Sequence, residues 1–194
     1  MRVSRVQAEA NRETVINVAS RLFRENGFDG ISLKDLMKGA GLTQGGFYKQ
    51  FESKDDLAAL ASRRAMESAT RRWSSAAASS SDPLAAVADF YLSAGHRGET
   101  GEGCPIVALG SDAARQSREV RAPFQDGIKA HLQVIEELMP QDGAVNATEK
   151  AMVTLALMVG AVTLSRIVTD EDLSDRLLAA ADNELKRQTS RSEK

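Results

Sequence analysis

The sequence predicts an all-α protein, and three observations carry this. Ala and Leu are abundant, while aromatic residues make up 5% of the chain and Pro occurs 4 times in 194 residues, a composition that favours long uninterrupted helices. Apolar residues recur three and four apart, as in Val15, Val18, Ala19, Leu22 and Phe23, and again in Leu173, Leu177, Leu178, Ala181 and Leu185, which is the helical period. Cap and stop residues punctuate these stripes: Ser32, Ser53 and Asp82-Pro83 at starts, Gly27 and Gly41 at ends. No strand-like alternation and no internal repeat interrupts the pattern.

In chain order, residues 1–10 carry Arg2 and Arg5 on an unpatterned arm. Such an arm is either a tail or a contact to phosphates or the minor groove. Asn11 to Asn26 is the first helix, with Gly27 as its C-cap and Phe28 folding back. Ser32 to Ala40 is a short helix in which Ser32 and Asp35 form a capping-box-like pair, and Leu33, Leu36, Met37 and Ala40 supply the buried face. Gly41 takes the left-handed conformation that turns the chain sharply. Thr43 then caps a second short helix to Phe51, with Phe47 and Phe51, four apart, as its anchors. Ser53 and Asp56 start the next helix, Asp55 to about Ala77, which dissolves into a Ser-rich connector. Asp82 and Pro83 begin a helix to about Ala94, His96 to Gly103 is a Gly-rich charged loop, and Pro105 opens a helix to about Gln116. Val120 to Met139 is long, Pro140 to Asn146 breaks it, Thr148 to Val168 is strongly apolar, and Asp170 to Lys186 is last, before a polar tail.

Two short helices about a tight Gly turn, the second with a polar and aromatic outer face, are a helix-turn-helix, whose second helix enters the major groove. Gln44 can read adenine through its amide, Thr43 can meet a phosphate or a thymine methyl, and Gly45 lets the backbone approach closely. Lys49 and Gln50 suit either role. Gly45 and Gly46 together cost a short helix about 1 kcal/mol each relative to Ala, so the free helix is loose and orders on DNA. Singly, each of these side chains is also an ordinary solvated residue of a surface helix. The charge split agrees with DNA contact: residues 1–72 hold 13 Lys and Arg against 9 Asp and Glu, the rest 12 against 18, for a net −2.

Phe23, Gly27, Phe28, Ser32, Leu36, Ala40, Gly41, Leu42, Phe47, Tyr48, Phe51, Lys54 and Leu57, with the run G-L-T-x-G-x-F-Y-x-x-F-x-S-K-x-x-L at their centre, resemble the DNA-binding domain of the TetR family of transcriptional regulators. The resemblance covers roughly Asn11 to Leu60. It implies that Tyr48 and Lys54 bind phosphates and adds Ser32 to the DNA-contact candidates. Lys54 lies in the first turn of a helix, where backbone N–H groups also favour an anion. The resemblance further implies residues 1–54 as a three-helix DNA-binding domain and 55–194 as a helical effector-binding and dimerisation domain. Its last two helices would pack with those of a second copy as a four-helix bundle, and Ala156, Gly160 and Ala161 permit close helix approach. The partners implied are double-stranded operator DNA, a second copy of the chain and a small-molecule effector. The regulator would be a repressor released from a palindromic operator.

Candidates for the effector pocket are Met66, Trp73, Phe90, Tyr91, Cys104, Phe124, His131 and Met158, with Leu132, His96 and Gln125 as further ones. Tyr, Trp and His stand out because each packs and still hydrogen-bonds. Cys104 is the single cysteine. It precedes Pro105 at a helix start, where a thiolate is stabilised, so a thiol-based electrophile or redox sensor is the alternative to a reversible ligand. With one Cys no disulfide forms within the chain, and no metal-ligand cluster accompanies it; no metal or cofactor is expected. The longest apolar stretch, Ala151 to Ile167, is broken by Thr154, Gly160, Thr163, Ser165 and Arg166, which argues against a membrane span, and the basic N-terminus lacks the apolar run of a signal peptide. The expectation is a cytoplasmic regulator, not an enzyme. A small helical enzyme using Cys104, or a helical protein-interaction module, explains less, since neither accounts for Tyr48 and Lys54 on capped short helices.

Overall fold

A computed structural model describes residues 4–139 and 147–191, and among these all regular structure is helical, with no strand. Arg2, the break at Pro140 to Asn146 and the last three residues of the tail lie outside the described residues.

Helix α1 spans Arg5–Asn26. The arm expected through Ala10 is therefore helical from Arg5: the Ser4 hydroxyl accepts from the Gln7 N–H at 3.1 Å and nucleates two extra turns. Val15, Ile16, Ala19 and Phe23 are its buried apolar stripe. Gly27 ends it at φ +77°, its N–H donating to the Phe23 carbonyl. Helix α2, Leu33–Gly39, starts as expected at Ser32, whose oxygen accepts from the Asp35 N–H while its hydroxyl donates to the Asp35 carboxylate at 2.6 Å. Gly41, at φ +71°, makes the turn.

The next element departs from expectation. It is a 3-10 helix, Gln44–Lys49, rather than an α-helix from Thr43 to Phe51, and the Thr43 side chain makes no capping bond. Bonds of the tighter i to i+3 kind run from Gly46 N–H to the Thr43 carbonyl and from Gln50 N–H to the Phe47 carbonyl. The glycine pair explains this: two residues of poor helix propensity leave too little to pin an α-helical turn. Phe47 and Phe51 anchor it all the same, both buried with ring centroids 5.3 Å apart. Helix α3, Lys54–Ala78, opens on a Ser53 cap: Asp56 N–H donates to the Ser53 hydroxyl oxygen at 3.0 Å, and the Asp56 carboxylate accepts from the N–H of Glu52, one residue before the cap, at 3.1 Å.

Further along lie α4 (Pro83–Tyr91), α5 (Ala94–Gly98), α6 (Pro105–Ala113), α7 (Arg118–Leu138), α8 (Ala147–Ile167) and α9 (Glu171–Arg191). The helix expected to reach Ala94 stops at Tyr91, because Ser93 caps a new turn by accepting from His96 N–H. The first part of the expected loop at His96 is that turn, α5, and His96 is buried in it.

The chain forms two compact units. One runs through Ser68 and takes in Thr100–Asp126; the other comprises Ala69–Glu99 and the described residues from Gly127 onward. In the first, Phe23, Leu36, Met37, Phe47, Phe51 and Leu57 join Met66, Leu109, Val120 and Phe124 in one core, with Phe28 edge-on to Phe124 at 6.4 Å. Compactness thus groups α6 and the start of α7 with the helix-turn-helix. Buried Arg24 ties this segment down, donating to the carbonyls of Ser20 and Gly103, each at 3.0 Å. In the second unit α8 packs along α9, and the Ser174 hydroxyl donates to the Ser165 carbonyl at 2.7 Å. Arg166 donates to the carbonyls of His96, Arg97 and Glu99 and so caps α5. By length and composition α8 is apolar enough to cross a membrane, against expectation. Ala151, Leu155, Met158 and Val162 are nonetheless buried within the unit.

Candidate nucleic-acid interface and helical body

The helix-turn-helix presents its predicted residues unevenly. Thr43, Gln44, Gly45 and Lys49 are exposed, and Tyr48 is 71% exposed. The buried Phe47 ring stands edge-on to that of Tyr48 at 5.1 Å, so it supports the phenol from below. Lys54 is half-buried at the first position of α3. Ser32 is exposed, but its hydroxyl is engaged as the α2 cap, which leaves it a positional rather than a free contact group. Gln50 is half-buried. Its side-chain oxygen is buried and has no hydrogen-bond partner.

Two signals escaped the sequence reading. Arg12, half-buried on α1, donates from Nε to the Gln50 carbonyl at 3.4 Å and lies 5.3 Å over the Phe51 ring. It holds the C-terminal end of the 3-10 segment to α1, and only its i+38 partner betrays that role. Lys34 and Lys38 are exposed on α2, adding two cations to the helix-turn-helix. The arrangement is chemically coherent for a phosphodiester duplex: cations and a phenol for phosphates, an amide for a base edge, and a glycine where backbone comes close.

The proposed pocket residues divide between the units. Met66 and Phe124 are in the core of the first unit; Cys104 falls in the same unit, a buried residue at the N-cap position of α6 that makes no side-chain capping bond. Trp73, Phe90, Tyr91, His131 and Met158 belong to the second. There Trp73, Tyr91, His131 and Met158 are fully buried. The Trp73 ring lies 4.3 Å from His131 and edge-on to Tyr91 at 5.4 Å. His96 sits 4.5 Å from the Tyr91 ring, and its Nδ1 lies 2.6 Å from the Tyr91 carbonyl, which fixes the proton on that nitrogen. Burial lowers the His96 pKa, the Tyr91 carbonyl offsetting part of this. Phe90 is half-buried under the Arg72 guanidinium at 4.9 Å. Gln125 is exposed. Among the described residues no His, Cys, Asp and Glu group is arranged to hold a metal.

Residues 15–61 match the family model for bacterial regulatory proteins of the tetR family. Residues 82–181, more than half the chain, match that for the C-terminal domain of LmrA/YxaF-like transcriptional regulators. The chain belongs to the TetR family. It is a DNA-binding transcriptional regulator with an N-terminal helix-turn-helix, and the family as a whole binds operator DNA and acts as dimers. The HTH-type transcriptional regulator LmrA of Bacillus subtilis is 26% identical over 161 residues, covering 80% of this chain and 86% of its own. A TetR regulator from Chloroflexus aurantiacus superposes with a TM-score of 0.78 at 26% identity, over 93% of this chain and 96% of that one. Reduced E. coli NemR, at 22% identity and a TM-score of 0.74 over 90% and 96% of the two chains, shares the fold.

Proposed function

We propose that this TetR-family protein is a homodimeric, ligand-responsive repressor of the cytoplasm, not anchored in a membrane. Residues up to Lys54 hold a palindromic operator. Those from Asp55 onward bind a small-molecule effector and the second copy. The observation that carries the dimer is the outer stripe of α8. Val153, Ala156, Gly160, Leu164 and Ile167 follow one another at three- and four-residue spacing, and Ile167 is 68% exposed. A Cβ built on Gly160 would meet nothing within 4 Å. An apolar stripe with small residues at its middle suits close packing of one helix on its mate. By contrast Ala151, Leu155, Val162, Leu178, Ala181 and Leu185 are already buried in the protomer.

The mechanism is a two-state shift. Without effector the two heads are spaced for successive major grooves; effector favours a spacing that does not fit. Coupling is reciprocal, so operator weakens effector binding by the factor by which effector weakens operator binding. The test is stoichiometry and release. The protein is titrated into DNA from its own promoter region while complex mass is followed, and a panel of small molecules of each charge class is then added to the complex. Two chains per palindrome, with displacement by some compounds and not others, is the expected result. One chain per site, or a complex indifferent to every compound, contradicts the proposal.

A second reading, sensing through the thiol, draws on the place of Cys104 at the N-terminus of α6, where backbone N–H groups favour a thiolate. Its burial disfavours reagent access. Electrophile-triggered release that is lost in Cys104→Ser would establish it.

A further inference from the structure

His131 stands out in the second unit. It is 1% exposed, and neither ring nitrogen has a hydrogen-bond partner. Burial pushes its pKa down to about 4, and a backbone contact with Gly127 one turn earlier offsets part of this. The ring is therefore neutral near pH 7, with one N–H donor and one bare acceptor. Buried polar atoms are nearly always satisfied, and leaving them unmade costs free energy that a Phe or Leu at the same position would avoid. His96, the other histidine, commits its Nδ1 to the Tyr91 carbonyl. The Trp73 ring lies against that of His131 and in turn meets Tyr91 edge-on.

We propose that His131, beside Trp73, is the polar anchor for an uncharged, largely apolar effector that carries a hydroxyl group, of the phenol class. A hydroxyl both donates and accepts, so it satisfies either tautomer of a neutral imidazole. A carboxylate would bring a buried charge that a neutral ring does not balance, and an ammonium would do the same with opposite sign. A hydrocarbon would leave both nitrogens as they are. The proposal rests on the reading of this unit as the effector-binding body and adds the chemical class of the effector.

Trp73 is the only tryptophan in the chain, so its fluorescence reports on this corner alone. The probes are para-ethylphenol, ethylbenzene and para-ethylbenzoate, titrated into the full-length protein with calorimetry in parallel. The phenol should perturb Trp73 saturably and bind at least about tenfold more tightly than either control. His131→Phe, which keeps the ring and removes the nitrogens, should weaken the phenol roughly tenfold and leave ethylbenzene unchanged. His131→Gln, which restores a donor and an acceptor, should keep phenol binding within a few-fold and guards against a folding defect in the first variant. The imidazole nitrogen resonances of His131 should move on adding the phenol.

Equal binding of phenol and ethylbenzene, or a phenol affinity indifferent to His131→Phe, overturns the proposal. So do unmoved imidazole resonances, which would mean that an internal water satisfies the ring. If the phenol does not bind while other compounds release the operator, the chemical class is wrong and the effector-responsive reading stands. If nothing binds and nothing releases the operator, both fall.

Discussion

The glycine pair in the recognition element gives a prediction in which stability and function move in opposite directions. Neither Gly45 nor Gly46 is among the glycines at positive φ, which are Gly27 and Gly41. A Cβ at Gly45 would meet nothing within 4 Å, and one at Gly46 only the Met37 Cε at 3.8 Å, an ordinary contact. The free protein therefore has no steric need for glycine at either position. Alanine at a compatible site stabilises by about 0.4–1 kcal/mol through the unfolded chain, and the helix preference of Ala adds to this in the short element. For a domain of this size 1 kcal/mol corresponds to a rise in Tm of about 2–4 °C. Gly45 is exposed between Gln44 and the Phe47-Tyr48 pair, where a methyl would stand between backbone and duplex. Gly45→Ala should thus unfold at higher denaturant, by urea titration followed by circular dichroism, yet bind operator more weakly by fluorescence anisotropy. Gly46→Ala, nearer Met37, should gain stability with a smaller loss of affinity. A Gly45→Ala protein that is destabilised, or that binds operator as wild type does, would refute the reasoning.

Three further outcomes follow from the same geometry. His131 has a folded-state pKa of about 4 against an ordinary 6.5, so the unfolded chain binds the extra proton first; stability is complete above about pH 6.5, falls as pH drops towards 4 and levels below it. The full fall is about 3 kcal/mol from this group. His96, also lowered, adds in the same direction, and His131→Phe should flatten the urea midpoint measured across that range. Phe47→Ala should cost about 3–5 kcal/mol, since Phe47 is fully buried in the first unit's core, and operator binding should vanish with the fold of the head. Ile167→Glu combined with Val153→Glu should give a monomer by sedimentation while the helical signal persists, because both positions are exposed on α8.

Much of this was legible in the chain itself. Ser32, Gly41 and Ser53 set the ends of their elements through local hydrogen bonds and backbone freedom, which sequence encodes directly. Phe47 and Phe51 marked the buried side of the recognition element, and with Tyr48 and Lys54 they carried the family resemblance. What was not legible depends on partners far away in sequence. The 3-10 form of Gln44–Lys49 reflects a balance between two weak formers and the anchors beneath them. The grip of Arg12 on the Gln50 carbonyl joins residues 38 apart. The packing of Leu109, Val120 and Phe124 into the core of the helix-turn-helix unit has no periodic signature, because any apolar helix face looks alike until its partner is known. Ser4 was an available cap that a polar, unpatterned stretch concealed. The state of His131 was hidden for the same reason, as composition does not say whether a histidine finds a partner.

The most direct test of the account is operator affinity across a salt series, for wild type beside Tyr48→Ala. The recognition surface is built from an exposed phenol and cations over a buried aromatic pair, so wild type should bind one promoter-region site tightly, with affinity falling steeply as salt rises. Tyr48→Ala should retain the fold and lose most of the site-specific affinity. A variant that binds the same site with undiminished affinity, or a wild type that prefers no sequence in a genome-wide pull-down, would contradict the account.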